Sequence, residues 1–110
     1  MSSRRVVITG IGALTPVGKS APDFWNGLLS GKSGARSIDK FDTTGFTSTF
    51  AALIDDYDPL EHFERKEARK LDLVAQYALV ASEEAILDSK LNLEEIDKDR
   101  VGVHVGTGIG

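Results

Sequence analysis

Four cationic side chains lie within six residues of one another in the stretch HFERKEARKLD. They belong to Arg65, Lys66, Arg69 and Lys70, which we call the basic cluster. Guanidinium groups bind carboxylates and phosphates as planar forks, whereas ammonium groups bind them as point charges. Two interpretations are open at this point. The cluster is either an ordinary solvated surface or a docking patch for an acidic or phosphate-bearing partner.

The chain around the basic cluster is acidic, with 13 Lys and Arg against 17 Asp and Glu and a net charge of −4. General nucleic-acid binding requires a basic domain, so this balance argues against it. The absence of cysteine excludes a disulfide, a thiolate metal site and a cysteine nucleophile within these residues. No signal peptide and no apolar run of about 18 residues is apparent, so we expect a soluble, cytoplasmic protein.

Two glycine-rich stretches, GIG at 10–12 and GTGIG at 106–110, invite comparison with phosphate-binding loops. The first lacks the third small residue that would open a helix, and the second lacks the lysine of a phosphate loop. We expect the first to allow a sharp turn. For the second, two interpretations remain: close backbone packing, or an Ile109, isolated among glycines, that lines or gates an apolar pocket.

His62 and His104 are the only histidines, and their surroundings lack the helical two-histidine spacing of zinc sites. His104 lies among valines, which predicts a buried histidine with a hydrogen-bond partner. The carboxylate pairs at 55–56 and 94–95 lie in polar, turn-like stretches, where we expect solvated side chains. These residues therefore predict no metal site.

The elements that must position these residues alternate between strands and helices. β-branched residues 5–9 predict a buried strand, residues 49–54 a short strand, and the stretch VGVHVG at 101–106 a last strand. Residues 31–48 read as a surface loop. This alternation predicts an α/β fold.

Helix-start signals occur at two places before the basic cluster. Ser20 and Asp23 form a capping-box pattern that begins a first helix, and Gly31 is expected to end it. Asp58 followed by Pro59 predicts a second helix start, with aspartate as the cap and proline at the first helical position.

Periodicity predicts one long helix over residues 66–89, with the basic cluster at its start. Cations at that end oppose the helix macrodipole. Between residues 71 and 81 only Asp72 and Gln76 are strongly polar, so the helix requires cover on more than one side. Because the chain also stops inside GTGIG, we expect residues 1–110 to be an incomplete piece of a larger protein.

Four stretches, RRVVITGIGALTPVG, FWNGLLSGKSGARSIDKFD, RKEARKLD and VGVHVGTGIG, resemble in order and spacing the amino-terminal part of β-ketoacyl-acyl carrier protein synthases. The similarity runs from about residue 4 to 110 and is greatest to the elongating type II enzymes of bacterial fatty-acid synthesis. It implies a thiolase-like α/β fold with α-β-α-β-α layers, assembled as homodimers. Residues 1–110 would then form the amino-terminal part of the ketosynthase domain, in the first half of that fold.

Members of this family transfer an acyl group from acyl carrier protein to an active-site cysteine and then condense it with malonyl-carrier protein by decarboxylative Claisen chemistry. The resemblance implies no cofactor. Two histidines stabilise the developing charge, as preorganised donors do. No catalytic residue falls within this chain, since cysteine is absent and neither His62 nor His104 lies in a segment like the family's histidine motifs. The segment alone is expected to be inactive.

The resemblance also implies roles away from the reacting atoms. Lys66, Arg69 and Lys70 match basic residues of the carrier-protein contact, with Arg65 as a neighbour. Ile109 matches a position that lines the acyl pocket, and Gly108 would give its side chain room. Two alternatives stay open: a non-catalytic partner subunit similar to a chain-length factor, and a ketosynthase domain of a polyketide synthase.

Overall fold

The computed structural model describes residues 2–109. Within that range it has three α-helices, one two-stranded sheet and two 3-10 helices. The elements are α1 (Ala21–Leu29), β1 (Ala35–Ser37), β2 (Phe50–Ala52), a first 3-10 helix (Pro59–Glu61), α2 (Arg65–Ala68), α3 (Leu73–Ser89) and a second 3-10 helix (Lys98–Arg100). None of the helices in this range combines the length and apolarity that crossing a bilayer requires.

Helix α1 confirms the prediction made from its capping residues. The Ser20 hydroxyl accepts a hydrogen bond from the backbone N–H of Asp23 at 3.2 Å, which satisfies one of the free donors at the helix start. After the helix, Gly31 has a φ of +72°, a left-handed conformation that glycine adopts without a steric penalty. Both ends of α1 therefore follow from local sequence.

The predicted strand at 49–54 is present as the shorter β2, which pairs antiparallel with β1. Ala35 lies opposite Ala52, and Ser37 lies opposite Phe50. The prediction of an uninterrupted loop over 31–48 is therefore wrong at β1. Its sequence, Ala-Arg-Ser, has no apolar alternation, so only pairing with β2 makes it a strand.

An ion pair joins β1 to the segment after β2. The Arg36 guanidinium donates two hydrogen bonds to the Asp55 carboxylate and also lies 3.1 Å from Asp39. The hydrogen bonds from Arg36 hold the pKa of the Asp55 carboxyl below its usual value. Asp55 is solvent-exposed, as expected for this carboxylate pair, but it also has a defined structural partner.

Residues 5–9 and 101–106 were predicted to be strands, and within residues 2–109 neither segment is paired with a strand. Val6 is 94% exposed and Val103 is 87% exposed. His104 is exposed as well, so the prediction of a buried histidine is wrong for this structure. The physical reason is that a strand needs ladder partners from elsewhere in the fold, which apolar alternation does not provide.

The long helix predicted over 66–89 is interrupted. Helix α2 ends at Ala68, and α3 begins at Leu73 after Asp72, whose ψ of 154° is extended rather than helical. Helix α3 ends at Ser89, and its C-cap Lys90 adopts a left-handed φ of 56°. The prediction is therefore correct for most of α3 and wrong at its start.

The glycine-rich turn at 10–12 packs directly on the backbone of α3. A Cβ added to Gly10 would lie 2.0 Å from the Ala85 carbonyl oxygen, and one added to Gly12 would lie 1.8 Å from the Ala81 carbonyl oxygen. Both distances are far below van der Waals contact. Close approach of two backbones, more than the sharp turn we expected, explains why these positions are glycine.

Two carboxylates of α3 bind the same turn through its backbone. Glu84 accepts hydrogen bonds from the N–H groups of Ala13 at 2.8 Å and Ala21 at 2.7 Å, and Asp88 accepts one from Ile11 at 3.0 Å. Ala21 is the first residue of α1, where a negative charge also interacts favourably with the helix macrodipole. Glu84 therefore fastens both the glycine turn and α1 to α3.

Candidate functional site

The basic cluster lies on α2 and on the two residues that follow it. Arg65 and Lys66 form the first half of α2, Arg69 is its C-cap, and Lys70 comes next. All four side chains are exposed, and none forms an ion pair with another residue of the described range 2–109. Their charge is therefore available to a partner.

The position of the basic cluster differs from the sequence prediction. We expected the four cations at the amino end of the long helix, where they would oppose its macrodipole. Helix α2 has only four residues, and Arg65 and Lys66 lie in its last turn as well as its first. Because the chain is interrupted before α3, the expected electrostatic cost at the start of the long helix does not arise.

Gln76 explains the interruption. It is the one buried polar residue within residues 2–109, with 4% of its surface exposed. Its side-chain Nε2 donates to the carbonyl oxygens of Ala68 at 3.0 Å and Leu71 at 2.9 Å. The Ala68 carbonyl closes α2 and would otherwise need another donor. A side chain of α3 therefore replaces the backbone hydrogen bonds that a continuous helix would have made.

Tyr57 sets the orientation of the Gln76 amide. Its hydroxyl donates to Gln76 Oε1 at 2.8 Å, so Nε2 is turned toward the two carbonyls. The Tyr57 ring lies parallel to His62, with 5.7 Å between ring centroids, and meets Tyr77 edge-on at 5.0 Å. Burial raises the pKa of the Tyr57 hydroxyl above its usual value, which favours the protonated form that donates to Gln76.

The first 3-10 helix precedes the basic cluster in the chain and packs against α2. Asp58 accepts a hydrogen bond from the backbone N–H of Leu60 at 2.9 Å, which confirms the predicted cap, although the helix is a single 3-10 turn. The Phe63 N–H donates to the Pro59 carbonyl at 2.9 Å. In the sequence, Gln76 is apparent only as a polar interruption of the apolar stretch, and nothing there singles out Tyr57. Their spacing of 19 residues gave no signal of contact.

The second predicted site, Gly108 and Ile109, is not brought to the basic cluster by any contact in the structure. Ile109 is 97% exposed, and a Cβ added at Gly108 would meet nothing within 4 Å. The alternative of close packing by this glycine-rich stretch is thus not seen within residues 2–109. A role for Ile109 in an acyl pocket stays a prediction.

Two open clefts lie elsewhere on the described surface. One of about 720 Å³ runs between the 15–19 loop, α1 and β1, and one of about 660 Å³ lies between the start of α1 and α3. His62 borders the second, together with Glu84 and Asp88. Within residues 2–109 no three side chains of metal-ligating type are placed so that they could hold a metal ion. Both carboxylates are already engaged by backbone N–H groups.

The chain is similar along its length to known beta-ketoacyl synthases, as the resemblance in its sequence motifs predicted. The family model described as "Beta-ketoacyl synthase, N-terminal domain" matches residues 3–110. The protein named 3-oxoacyl-[acyl-carrier-protein] synthase 2 of Vibrio harveyi is 47% identical over 110 residues, covering 100% of this chain and 26% of that protein. Proteins of the same name from Synechocystis sp. and Staphylococcus aureus are each 40% identical over 100% and 98% of the chain, and 26% of their own length.

A solved structure, the ishigamide ketosynthase/chain length factor, aligns with a TM-score of 0.68 at 32% identity, over 86% of this chain and 24% of that chain. The chain spans about a quarter of the length of the relatives it matches. This agreement confirms the predicted α/β, thiolase-like fold class, of which these residues are a part. Sequence and structure together show that the chain belongs to the family of beta-ketoacyl synthase N-terminal domains.

Proposed function

We propose that the chain is the amino-terminal part of a 3-oxoacyl-[acyl-carrier-protein] synthase of fatty-acid elongation. This enzyme would condense an acyl-enzyme with malonyl-acyl carrier protein, with loss of CO2. The supporting observation is identity of 40–47% along the whole chain to relatives of that name. Since the segment has no cysteine, its own contribution is to seat the substrate carrier and to shape the acyl site.

The basic cluster supports the carrier-docking part of this proposal. Its four cations are exposed and without ion pairs inside the described range, in a chain that is otherwise acidic. An acidic partner is steered toward such a local positive surface, and its phosphate or carboxylate groups are bound there. Acyl carrier protein is both acidic and phosphopantetheine-bearing, so it is the partner that we propose for Lys66, Arg69 and Lys70, with Arg65 beside them.

The assembled enzyme is proposed to be a cytoplasmic homodimer. The test of the function is a condensation assay with the purified full-length protein, acyl-carrier protein and malonyl-carrier protein. We expect one 3-oxoacyl-carrier product for each CO2 released. No product from the protein alone, but product after a second ketosynthase subunit is added, would instead support the chain-length-factor alternative. The similarity to the ishigamide ketosynthase/chain length factor is the observation that keeps that alternative open.

Ile109 is proposed to line the acyl pocket, with Gly108 leaving room beside it. Ile109→Phe is expected to depress kcat/KM for the longest acyl chains about tenfold more than for short ones, because the added bulk shortens the pocket. Substrate competition over a series of acyl chain lengths measures this. Ile109→Leu conserves side-chain volume and is the matched control. An equal loss at all chain lengths would contradict the pocket assignment.

A further inference from the structure

We propose that Gln76 is a positioning residue for carrier docking, although its side chain is buried and touches no partner. It holds the backbone that presents Arg69 and Lys70. This inference rests on the proposed function, because it concerns the same docking surface. It adds a buried residue of α3 to a surface that the sequence assigned only to exposed cations.

The hydrogen bonds of Gln76 bracket half of the basic cluster. Its Nε2 binds the carbonyl oxygens of Ala68 and Leu71, and the residues between those two are Arg69 and Lys70. The backbone of these two cations is thus anchored on both sides by one side-chain amide. Their own N–H groups add the bonds from Arg69 to the Arg65 carbonyl at 3.4 Å and from Lys70 to the Glu67 carbonyl at 2.9 Å.

The anchor opposes what the local sequence favours. Periodicity predicts one continuous helix over residues 66–89, in which residues 69–72 would join α2 to α3 without a break. Instead α2 ends at Ala68 with Arg69 as its C-cap, and the extended backbone of Asp72 separates it from α3. Gln76 supplies donors to the carbonyls left free by this interruption, so it stabilises the interrupted form over the continuous helix.

Glutamine suits this position for a chemical reason. Two acceptor carbonyls require two donors, and the NH2 group of the amide provides both. The amide oxygen accepts the hydrogen bond from the Tyr57 hydroxyl. Glutamate has the same shape but would turn a carboxylate oxygen toward two carbonyl oxygens. Methionine has a similar length and leaves both carbonyls without a donor. Most other residues of α3 near it are apolar, so packing alone does not call for a polar side chain.

The experiment compares Gln76→Glu and Gln76→Met with wild type in the full-length synthase. The measured quantity is KM for acyl-carrier protein divided by KM for acyl-CoA, with circular dichroism to confirm folding at the assay temperature. We expect each substitution to raise this ratio by about threefold to tenfold, because Arg69 and Lys70 are no longer held in a fixed position beside the other two cations. Val80→Ala, at a partly buried position on the same helix but outside this hydrogen-bond network, is the matched destabilising control, and we expect it to leave the ratio near wild type.

A wild-type ratio in folded Gln76→Glu and Gln76→Met would overturn the positioning role, even if both lowered the melting temperature. If Gln76→Glu does not fold, Gln76→Met decides, since it buries no charge. Charge reversal of the basic cluster separates this inference from the proposed function. A ratio that responds to reversal but not to Gln76 substitution refutes only the positioning role, whereas a ratio that ignores reversal refutes docking itself.

Discussion

Replacing Lys66, Arg69 and Lys70 together by glutamate is expected to raise KM for acyl-carrier protein by about tenfold to a hundredfold, and KM for acyl-CoA much less. The three side chains are exposed and make no ion pair within residues 2–109, so their reversal breaks no observed internal bridge. The loss should therefore fall on the partner. Steady-state kinetics of the full-length enzyme with both donors measures it.

Ionic strength provides a second measurement on the same variant. Exposed charges are screened over a Debye length of about 8 Å at physiological salt, so the wild-type preference for the carrier-linked donor should weaken as salt rises. The reversed variant should show a smaller salt dependence. A triple reversal of Lys32, Lys40 and Arg100, which are also exposed and form no ion pair within residues 2–109, changes net charge by the same amount and is the matched control. Equal effects from both triples, or on both donors, would rule out a local docking surface.

Gly12→Ala is expected to destabilise the fold by about 3 kcal/mol, because the added methyl group overlaps the backbone of α3. The new Cβ would lie 1.8 Å from the Ala81 carbonyl oxygen and 3.0 Å from the Ala85 nitrogen. Neither atom can move away by rotation of a side chain, so the turn must separate from the helix. The hydrogen bonds from Ala13 to Glu84 and from Ile11 to Asp88 would be strained at the same time.

Urea denaturation of the variant and the wild type measures this loss as a lower midpoint. Gly102→Ala is the matched control, since a Cβ there meets nothing within 4 Å and the residue does not have a positive φ. Its effect should stay within about 0.5 kcal/mol. A Gly12→Ala protein as stable as the control would mean that the glycine turn does not pack on α3 as closely as the structure shows.

Some features of the fold could be predicted because their causes are local. Ser20 and Gly31 delimit α1 through a cap and a left-handed turn that lie within a few residues of the helix. Asp58 caps the first 3-10 helix by the same local means, since its carboxylate accepts a hydrogen bond from the N–H of Leu60, two residues later. The ordered motifs also identified the family correctly, since family resemblance depends on residue types and spacing rather than on contacts.

The contacts that hold the basic cluster and the glycine turn in place could not be predicted, because they depend on distant partners. Tyr57 and Gln76 are 19 residues apart in the chain. Glu84 binds the N–H groups of Ala13 and Ala21, which precede it by 71 and 63 residues. The predictions of strands at 5–9 and 101–106 are wrong for a related reason. Strand formation requires a neighbouring strand, and alternating apolar residues show only the tendency to accept one.

Residue types and their spacing alone identified the family and the helix caps of α1. They also located the four cations in the chain and showed that it has no cysteine nucleophile. The three-dimensional arrangement was needed to show that these cations lie on a separate short helix and the two residues after it, and that Gln76 binds the carbonyls at the break before α3. Sequence periodicity reports the preference of each residue for its neighbours. A buried amide that binds two carbonyls makes the interruption possible, because it supplies the donors that these carbonyls lose when the helix is broken.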